Sequence, residues 1–347
     1  MTEGAASHSL DLPRLAQWLR THVEDFSGEL TAKKFTGGQS NPTYLLALGD
    51  NRRYVLRRKP GGVLLPSAHA VEREFQVMRA LADSAVPVAR MRALCTDAEV
   101  IGTAFYVMDY VEGRTFWDTR LPELTRAERA AVYDAMNDTI ASLHSVDFAA
   151  RGLADFGRPG NYFARQIARW SRQYRATETE RIEAMERLLA WLPEHIPAAD
   201  ETCLVHGDFR IDNLIFHPRE PRVRAVIDWE LSTLGHPLAD LAYHVMMWRL
   251  SSGEFRGLLD ADLAALGIPT ESDYVARYLR RTGRETIDAS EWEFAIAYNL
   301  FRVACIRQGV LKRALAGNAS SEQALQAGQR ARAMADIAWR QVERLQR

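Results

Sequence analysis

The spacing of apolar positions changes character about a third of the way along the chain. In residues 12–24 apolar side chains recur every three or four positions, which predicts an amphipathic helix. A second helix is predicted over residues 67–82, with Ser67 as its cap. Short runs bounded by turn residues predict strands near 30–36, 43–48, 53–58, 91–95 and 104–111. The first third is therefore predicted to be a small sheet with a helix packed on it.

From Gly113 onward helical periodicity dominates the pattern. Helices are predicted over residues 125–145, 160–177, 179–192, 238–250, 272–282, 290–314 and 319–346. Short strands are predicted near 203–205, 213–216 and 223–227. The pattern indicates an α+β protein of two lobes, joined by a short connection near 109–113. Residues 1–110 form a small antiparallel-sheet N-lobe, and residues 111–347 form a larger helical C-lobe.

Composition and charge narrow the class of protein. The 347 residues are 47% hydrophobic and 26% charged, which is ordinary for a soluble globular protein. With 44 basic and 45 acidic residues, nothing favours a nucleic-acid partner. The three cysteines are widely spaced and form no zinc or disulfide pattern, which fits a reducing cytoplasm. The N-terminus lacks signal-peptide features and no run of 18 apolar residues exists, so we expect a cytoplasmic protein without a membrane partner.

One short stretch concentrates polar residues between two strand-like runs. Residues 204–218 read LVHGDFRIDNLIFHP, which places His206, Asp208 and Asn213 in one loop. Asp228 then ends the run AVIDWE. Phosphoryl transfer from ATP needs a carboxylate that accepts the hydroxyl proton, and a second carboxylate and an amide oxygen that hold magnesium. The set therefore predicts ATP and Mg²⁺ as the ligands of this site.

The same stretch resembles a known family. HGDFRIDN followed by IDW and then LGHPLADLAY resembles the catalytic segment of the aminoglycoside phosphotransferase and choline kinase superfamily, small-molecule relatives of the protein kinases. The resemblance implies that Asp208 is the catalytic base, that Asn213 and Asp228 bind magnesium, and that His206 braces the loop. Asp240 resembles the family aspartate that ties this loop to the following helix; alternatively, it caps the helix from 241.

By the same resemblance, the N-lobe should hold ATP. The stretch FTGGQSNPTYLL lies between two predicted strands, where a phosphate-covering loop would lie. Its glycines allow close approach of the backbone to phosphate, and its polar side chains can donate to phosphate oxygens. The predicted phosphate-side residues are Gly37, Gly38, Gln39, Ser40 and Asn41. The run FYVMDYVEG resembles the hinge strand, whose backbone would meet adenine at Met108, Asp109, Tyr110 and Val111.

The stretch YVLRRKP departs from the kinase pattern, which places a lysine on the third strand. Arg57 stands at the matching position, with Val55 on the same face to pack on adenine. Lys59 shares that face and remains an alternative, although it precedes Pro60-Gly61. The partner carboxylate should come from the following helix, where Glu72 and Glu74 are candidates. The REF context favours Glu74, because it resembles the family's glutamate.

Nearly the whole chain resembles one subgroup, the kinase-like proteins fused or adjacent to acyl-CoA dehydrogenases. For that subgroup the implied acceptor is a hydroxylated acyl thioester or a hydroxy acid. Arg165, Arg169 and Arg172 recur at helical spacing and, with Arg302, are candidates for contacts to such an anion. Arg302 and Arg307 are equally open to a purely structural role. An acyl-CoA dehydrogenase label on this chain would reflect gene association, since no flavin domain is recognisable.

Other functions remain open from the sequence. An aminoglycoside is polycationic and should meet carboxylates, but residues 160–175 contain none. Choline would need an aromatic cage, and nothing in the sequence places the tryptophans together. Arg57 leaves room for a pseudokinase that binds nucleotide without turnover. The C-lobe helices could also serve as a non-enzymatic adaptor for a dehydrogenase partner.

Overall fold

The computed structural model describes residues 10–24, 26–35, 41–49, 51–61, 69–317 and 324–345. The chain divides into two compact units, of which the first comprises Met1–Gly113 and Arg224–Glu230. The second comprises Arg114–Val223 and Leu231–Arg347. These units differ in two ways from the division predicted at residue 110. The first unit ends three residues later, at Gly113, and it also includes the segment Arg224–Glu230, which carries Asp228. Long-range hydrogen bonds hold this segment in the first unit; for example, the Val226 N–H donates to the Pro87 carbonyl at 2.8 Å. A local sequence pattern cannot predict such contacts.

The first unit contains a five-stranded antiparallel sheet with strand order β1-β2-β3-β5-β4. Its strands are β1 (Leu30–Lys34), β2 (Thr43–Leu48), β3 (Arg53–Arg58), β4 (Met91–Cys95) and β5 (Phe105–Asp109). Central strand β3 lies between β2 and β5, with Val55 opposite Met108 and Arg57 opposite Tyr106. Because side chains alternate along a strand, Val55 and Arg57 share one face of the sheet.

Helices complete the first unit: α1 (Leu12–His22), α2 (Val71–Ala80) and α3 (Ala98–Ile101). Asp11 caps α1, because its carboxylate accepts from the backbone N–H of Arg14. The apolar face of α1 shares one buried core with sheet residues such as Leu46 and Leu56. The predicted cap Ser67 lies outside the described residues. Helix α2 begins at Val71, and its N-cap residue, Ala70, provides no side-chain hydrogen bond.

The second unit is mostly helical. Its helices are α4 (Arg126–His144), α5 (Tyr162–Thr177), α6 (Glu183–Glu194), α7 (Pro237–Val245), α8 (Ser252–Phe255), α9 (Leu263–Leu266), α10 (Glu271–Arg281), α11 (Ala289–Leu315), α12 (Ala324–Gln329) and α13 (Ala331–Leu345). Its short strands are β6 (Cys203–Val205), β7 (Leu214–Phe216) and β9 (Thr233–Gly235); β8 (Val223–Val226) leads back into the first unit. Helix α11 is the longest and packs against α5, α7, α12 and α13.

The α+β class and the sheet-rich and helical regions are confirmed, and two differences are informative. The helix predicted over 319–346 is two helices, α12 and α13, which meet at Arg330. Strand β9 pairs antiparallel with β6 and was not predicted. Within the described ranges, no helix combines the length and apolar character that a bilayer span requires.

Candidate active site

The loop after β6 is shaped by a glycine. Gly207 has φ +81°, a conformation that other L residues rarely adopt. A Cβ atom there would also lie 2.7 Å from the carbonyl oxygen of Leu231. Both facts explain why a glycine separates His206 from Asp208, because the chain turns sharply there and lies against the backbone of Leu231.

Asp240 anchors this loop from α7. Its carboxylate accepts from the backbone N–H of His206 at 2.7 Å and of Gly207 at 2.8 Å. The ring of His144 lies 3.2 Å from the same carboxylate and 2.8 Å from the hydroxyl of Tyr278. Burial alone would raise the pKa of Asp240, but the hydrogen bond and charge of His144 and the contacts with His206 lower it. The alternative that Asp240 caps the helix is wrong, because His236 caps α7.

Asp208 is the most heavily contacted carboxylate of the loop. The hydroxyl of Tyr243 donates to one oxygen at 2.6 Å, and Arg210 approaches both oxygens at 3.0 and 3.1 Å. The side-chain amide of Asn213 donates to the Asp208 carbonyl at 2.8 Å and to its carboxylate at 3.0 Å. The Asn213 amide nitrogen is thereby used, so its oxygen is the atom with magnesium-ligand chemistry.

In the first unit, Glu74 of α2 gathers three donors while 1% exposed. Arg57 approaches its oxygens at 3.0 and 3.3 Å, Asn41 donates at 2.8 Å and Tyr106 donates at 3.0 Å. Burial raises the pKa of Glu74, and Arg57 only partly offsets that effect. The predicted phosphate contact of Asn41 needs correction: its amide is buried and holds Glu74 and His69 instead.

Arg57 also reaches the segment that returns from the second unit. It lies 2.7 Å from Asp228 and 3.5 Å from Glu230. Burial would lower the pKa of Arg57, but the charges of Glu74, Asp228 and Glu230 raise it. Lys59 instead pairs with Glu72 at 2.6 Å. The geometry thus separates the two candidate pairs that the sequence left open, and it joins Arg57 to the predicted metal ligand.

Asp228 has an unusual backbone. Its φ of +67° is in the left-handed region, which is uncommon for a residue other than glycine. Such conformations cost free energy and persist where the surroundings impose them, often at functional sites. Its side chain is 34% exposed, so its carboxylate combines a fixed backbone with access to solvent.

At the end of β5, two of the backbone N–H groups that were predicted to meet adenine are already hydrogen-bonded within the protein. The N–H of Asp109 donates to the Arg90 carbonyl and that of Tyr110 to the Arg53 carbonyl. The N–H of Val111 has no protein acceptor within the described chain. The Asp109 carboxylate is held by Arg92 at 2.6 and 2.9 Å. The Asp109 and Tyr110 amides are therefore corrected to structural donors, and the adenine contacts of Met108 and Val111 stay predictions.

The remaining residues predicted to bind nucleotide or metal are in part described by the structure and in part outside it. Gly37, Gly38, Gln39 and Ser40 lie outside the described residues. Val55 is 7% exposed, opposite Met108 on the neighbouring strand. Within the described ranges, no group of three or more His, Cys, Asp or Glu side chains could hold a metal. Magnesium does not require such a group, because it keeps waters and phosphate oxygens beside one or two protein ligands.

The arginines predicted to meet an anionic acceptor do not act as one surface. Arg165 donates to the backbone carbonyls of Arg158 and Gly160, and Arg169 lies over Trp170. Arg302 is buried and donates to the Gly207 carbonyl at 2.6 Å, with its guanidinium 4.8 Å from the Tyr243 ring. The prediction for Arg302 is therefore corrected: it supports the loop that carries Asp208.

Several residues of this site were missed. Arg210 follows Asp208 by two positions, so its place in the motif was a usable signal. Tyr243 lies three residues after Asp240 on α7, and such neighbours share a helix face. His144 and Glu230 had no local signal, since only the folded chain brings them to Asp240 and Arg57 respectively.

Comparison with known proteins agrees with this geometry. The model of the phosphotransferase enzyme family APH matches residues 31–279. A crystallised Ralstonia eutropha protein described as a candidate aminoglycoside phosphotransferase is 52% identical, with a TM-score of 0.89 over 97% of this chain and 99% of that one. A thermostable mutant of aminoglycoside phosphotransferase APH(4)-Ia, solved as a ternary complex with ADP and hygromycin B, has a TM-score of 0.61 over 94% and 97% of the two chains, at 16% identity, which shows the fold alone.

The chain belongs to the APH phosphotransferase family, and both the resemblance and the protein-kinase-like fold class predicted from the sequence are confirmed. Among curated proteins, mouse acyl-CoA dehydrogenase family member 10 is 50% identical over 315 residues, which cover 90% of this chain. The human acyl-CoA dehydrogenase family member 11 is 41% identical over 93% of this chain. The chain spans only 29% and 42% of the lengths of these two relatives.

Proposed function

We propose that this protein transfers the γ-phosphate of ATP to a hydroxyl group of a small molecule. The observation that carries the proposal is the Asp208 carboxylate, which Tyr243, Arg210 and Asn213 contact. Asp240 anchors the loop that carries it. Family membership gives the reaction class, and the residues give each step a group of the right chemistry.

Asp208 is the proposed general base. The acceptor oxygen attacks the γ-phosphorus, its proton goes to Asp208, and the bond to the β–γ bridging oxygen breaks to release ADP. Three hydrogen bonds and one further ion-pair contact from Arg210 already occupy the Asp208 carboxylate oxygens. An incoming hydroxyl must therefore displace one donor, and Arg210 has the longest and most flexible side chain of the three partners. Once displaced, its guanidinium is free to contact the transferred phosphoryl group.

The first unit is proposed to hold the nucleotide. Arg57 is oriented by Glu74, which is itself fixed by Asn41 and Tyr106. A guanidinium held in this way keeps donors for phosphate oxygens and remains charged at every physiological pH. Val55 offers an apolar side chain next to the hinge strand, and the Val111 N–H offers a donor to the adenine edge.

Asn213 and Asp228 are proposed to hold magnesium through an amide oxygen and a carboxylate. The residues fit this ion, because both supply the hard oxygen ligands that it prefers. When bound, magnesium neutralises charge on the β- and γ-phosphates. Asp228→Ala should remove the difference in affinity between ATP with and without magnesium. Equal metal dependence in wild type and variant would show that Asp228 is not a ligand.

The acceptor is proposed to be a hydroxyacyl-CoA or a hydroxy acid. The relatives named as acyl-CoA dehydrogenase family members favour this class. An aminoglycoside acceptor is the second candidate, favoured by the solved structures with that name. The dehydrogenase name itself is proposed to describe the longer relatives and not an activity of this chain.

Acceptor-dependent ADP release tests the proposal. Purified protein with ATP and magnesium should release ADP when given one class from a panel of hydroxyacyl-CoAs, free hydroxy acids, aminoglycosides and choline. The matched Asp208→Asn variant should show no such release. If no class raises ADP release above the acceptor-free rate, while the protein binds Mg-ATP, the pseudokinase alternative gains the support that this proposal loses.

A further inference from the structure

Arg307, on α11, is a half-buried cation without a carboxylate partner among the described residues. Its guanidinium donates to the backbone carbonyls of Glu254, on α8, and Arg330. Burial, together with the positive charge of Arg330, lowers the pKa of Arg307 to about 10, and the negative charge of Glu254 offsets only part of this effect. Backbone carbonyls satisfy hydrogen bonds but leave the net charge uncompensated.

Arg330, an exposed residue at the junction of α12 and α13, adds a second cation beside Arg307. It donates to the carbonyl of Gly253, one residue before the Glu254 carbonyl that Arg307 contacts. No carboxylate of the described chain lies within 4.0 Å of either guanidinium. A guanidinium has five N–H donors, so both side chains keep donors beyond those that the carbonyls use.

Arg249 and Arg284, two other half-buried arginines of the second unit, have carboxylate partners. Arg249 lies 2.5 Å from Glu271 and also contacts Glu293, while Arg284 pairs with Glu201 at 2.5 Å. The pKa of Arg249 and that of Arg284 are raised even though burial opposes charge, because carboxylates neighbour them. Among the described residues, Arg307 and Arg330 thus make no ion pair of the kind that Arg249 and Arg284 make.

Aromatic side chains connect this pair to the proposed base. The Phe255 ring lies 5.8 Å from the Arg307 guanidinium and 6.5 Å from the Tyr243 ring. The Tyr243 hydroxyl lies 2.6 Å from the Asp208 carboxylate. Two rings therefore lie between a position for a reacting hydroxyl and a position for a negative charge.

We propose that Arg307 and Arg330 form the binding site for an anionic oxygen group of the acceptor, a phosphate or a carboxylate separated from the reacting hydroxyl by an apolar segment. This proposal rests on the proposed function for the position of the hydroxyl. The anion supplies a partner where no described carboxylate lies within 4.0 Å of either guanidinium, and charge-assisted hydrogen bonds to guanidinium groups are short and strong. The apolar segment of the acceptor packs along Phe255 and Tyr243.

Calorimetric titration of the purified protein tests the site with three probes, each in the presence of saturating magnesium and AMP-PNP. Coenzyme A carries phosphates, pantetheine carries the same thiol arm without phosphates or nucleotide, and 4-hydroxybutyrate carries a carboxylate. The variants are Arg307→Gln and Arg330→Gln. The matched control is Lys312→Gln, which removes an exposed positive charge from the same helix.

We expect both arginine variants to weaken one anionic probe by about ten- to a hundredfold, the range of a lost charge-assisted hydrogen bond. Weakened coenzyme A binding with unchanged pantetheine binding would assign the anion as phosphate, and weakened 4-hydroxybutyrate binding would assign it as carboxylate. The proposal is overturned if wild type binds neither anion, or if the arginine variants and Lys312→Gln bind both anions as wild type does.

Two controls keep this test separate from the proposed function and from folding. Titration of the same proteins with Mg-AMP-PNP reports on the nucleotide site alone, so its failure would count against the proposed function and not against the arginine pair. Loss of Arg307 removes like-charge repulsion with Arg330. Without anion, Arg307→Gln should therefore melt at the wild-type temperature or above; a drop of several degrees would instead show that Arg307 mainly braces α8.

Discussion

Glu74 and Asp240 are both almost fully buried carboxylates, and their surroundings shift them in opposite directions. Asp240 accepts two backbone N–H groups and a contact from His144, and its pKa is lowered. Glu74 accepts three side-chain donors, one of them the guanidinium of Arg57, and its pKa is still raised. The number of donors is therefore not what distinguishes them.

The two carboxylates differ in what else their donors contact. The donors to Asp240 belong to the loop that it anchors. Arg57 divides its charge among Glu74, Asp228 and Glu230. Asp240 thus behaves as a structural anchor whose partners all belong to its own unit, whereas Glu74 holds a cation that also contacts Asp228 and Glu230. The variants below separate these two behaviours.

Asp240→Asn should have the largest effect on stability. An amide offers one acceptor oxygen to two backbone donors, and its NH₂ group would face a donor. Disrupting a buried charged network by removing one partner costs about 3–5 kcal/mol. Urea unfolding should show a loss of this size. Glu74→Gln is the matched change in the other unit, and an equal loss there would remove the distinction between anchor and orienting group.

Arg57→Ala should reduce catalytic efficiency by about ten- to a hundredfold, because a charge-assisted contact to phosphate is lost. Arg57→Lys should fall between wild type and alanine, since a lysine keeps the charge without the fork of donors. Lys59→Ala is the control on the same strand. Steady-state kinetics with varied ATP should give that order; a damaging Lys59→Ala beside a mild Arg57→Ala would reverse the assignment.

Glu74→Gln should weaken Mg-ATP binding about three- to tenfold, because a neutral acceptor orients Arg57 less firmly than a charged one. Its stability should change by less than about 1 kcal/mol, since the amide keeps a similar shape and the burial of a charge is avoided. Calorimetry and urea unfolding measure the two quantities. A large loss of stability with unchanged nucleotide affinity would assign Glu74 to the fold alone.

The smallest expected effect is on pH dependence. Because the folded pKa of Asp240 is lowered, its contribution to stability is present above its unfolded pKa, about 4, and is lost as pH falls through the folded value. For Glu74 the folded pKa is raised, so its contribution is full below the unfolded pKa and is lost as pH rises through the folded value. Unfolding between pH 3 and pH 7 should therefore show opposite trends when each variant is compared with wild type.

Sequence reasoning placed residues correctly where their contacts are local, while their catalytic roles stay predictions. The loop residues Asp208 and Asn213 stand in one short motif, and the strand positions of Val55 and Arg57 follow from alternation along β3. Boundaries of the long helices α4, α10 and α11 were also close, because their apolar periods extend over several turns.

The rest depends on contacts between distant parts of the chain. His144 meets Asp240 across 96 positions, and no period or spacing marks a single histidine for that role. Asn41 was assigned to phosphate because of its loop, but folding buries it against Glu74. The proximity of Arg307 and Arg330 is likewise invisible in a chain with balanced charge, since only the structure shows which described arginines have acids beside them.

The central claim is that Asp208 performs phosphoryl transfer while the first unit holds the nucleotide. The most direct test measures Mg-ATP affinity and acceptor phosphorylation on one preparation of Asp208→Asn. The amide keeps the shape of the side chain but cannot take the hydroxyl proton, and a general base contributes about 10²–10⁴ in rate. We predict affinity within twofold of wild type and a loss of transfer in that range. Transfer above half of the wild-type rate would contradict the account.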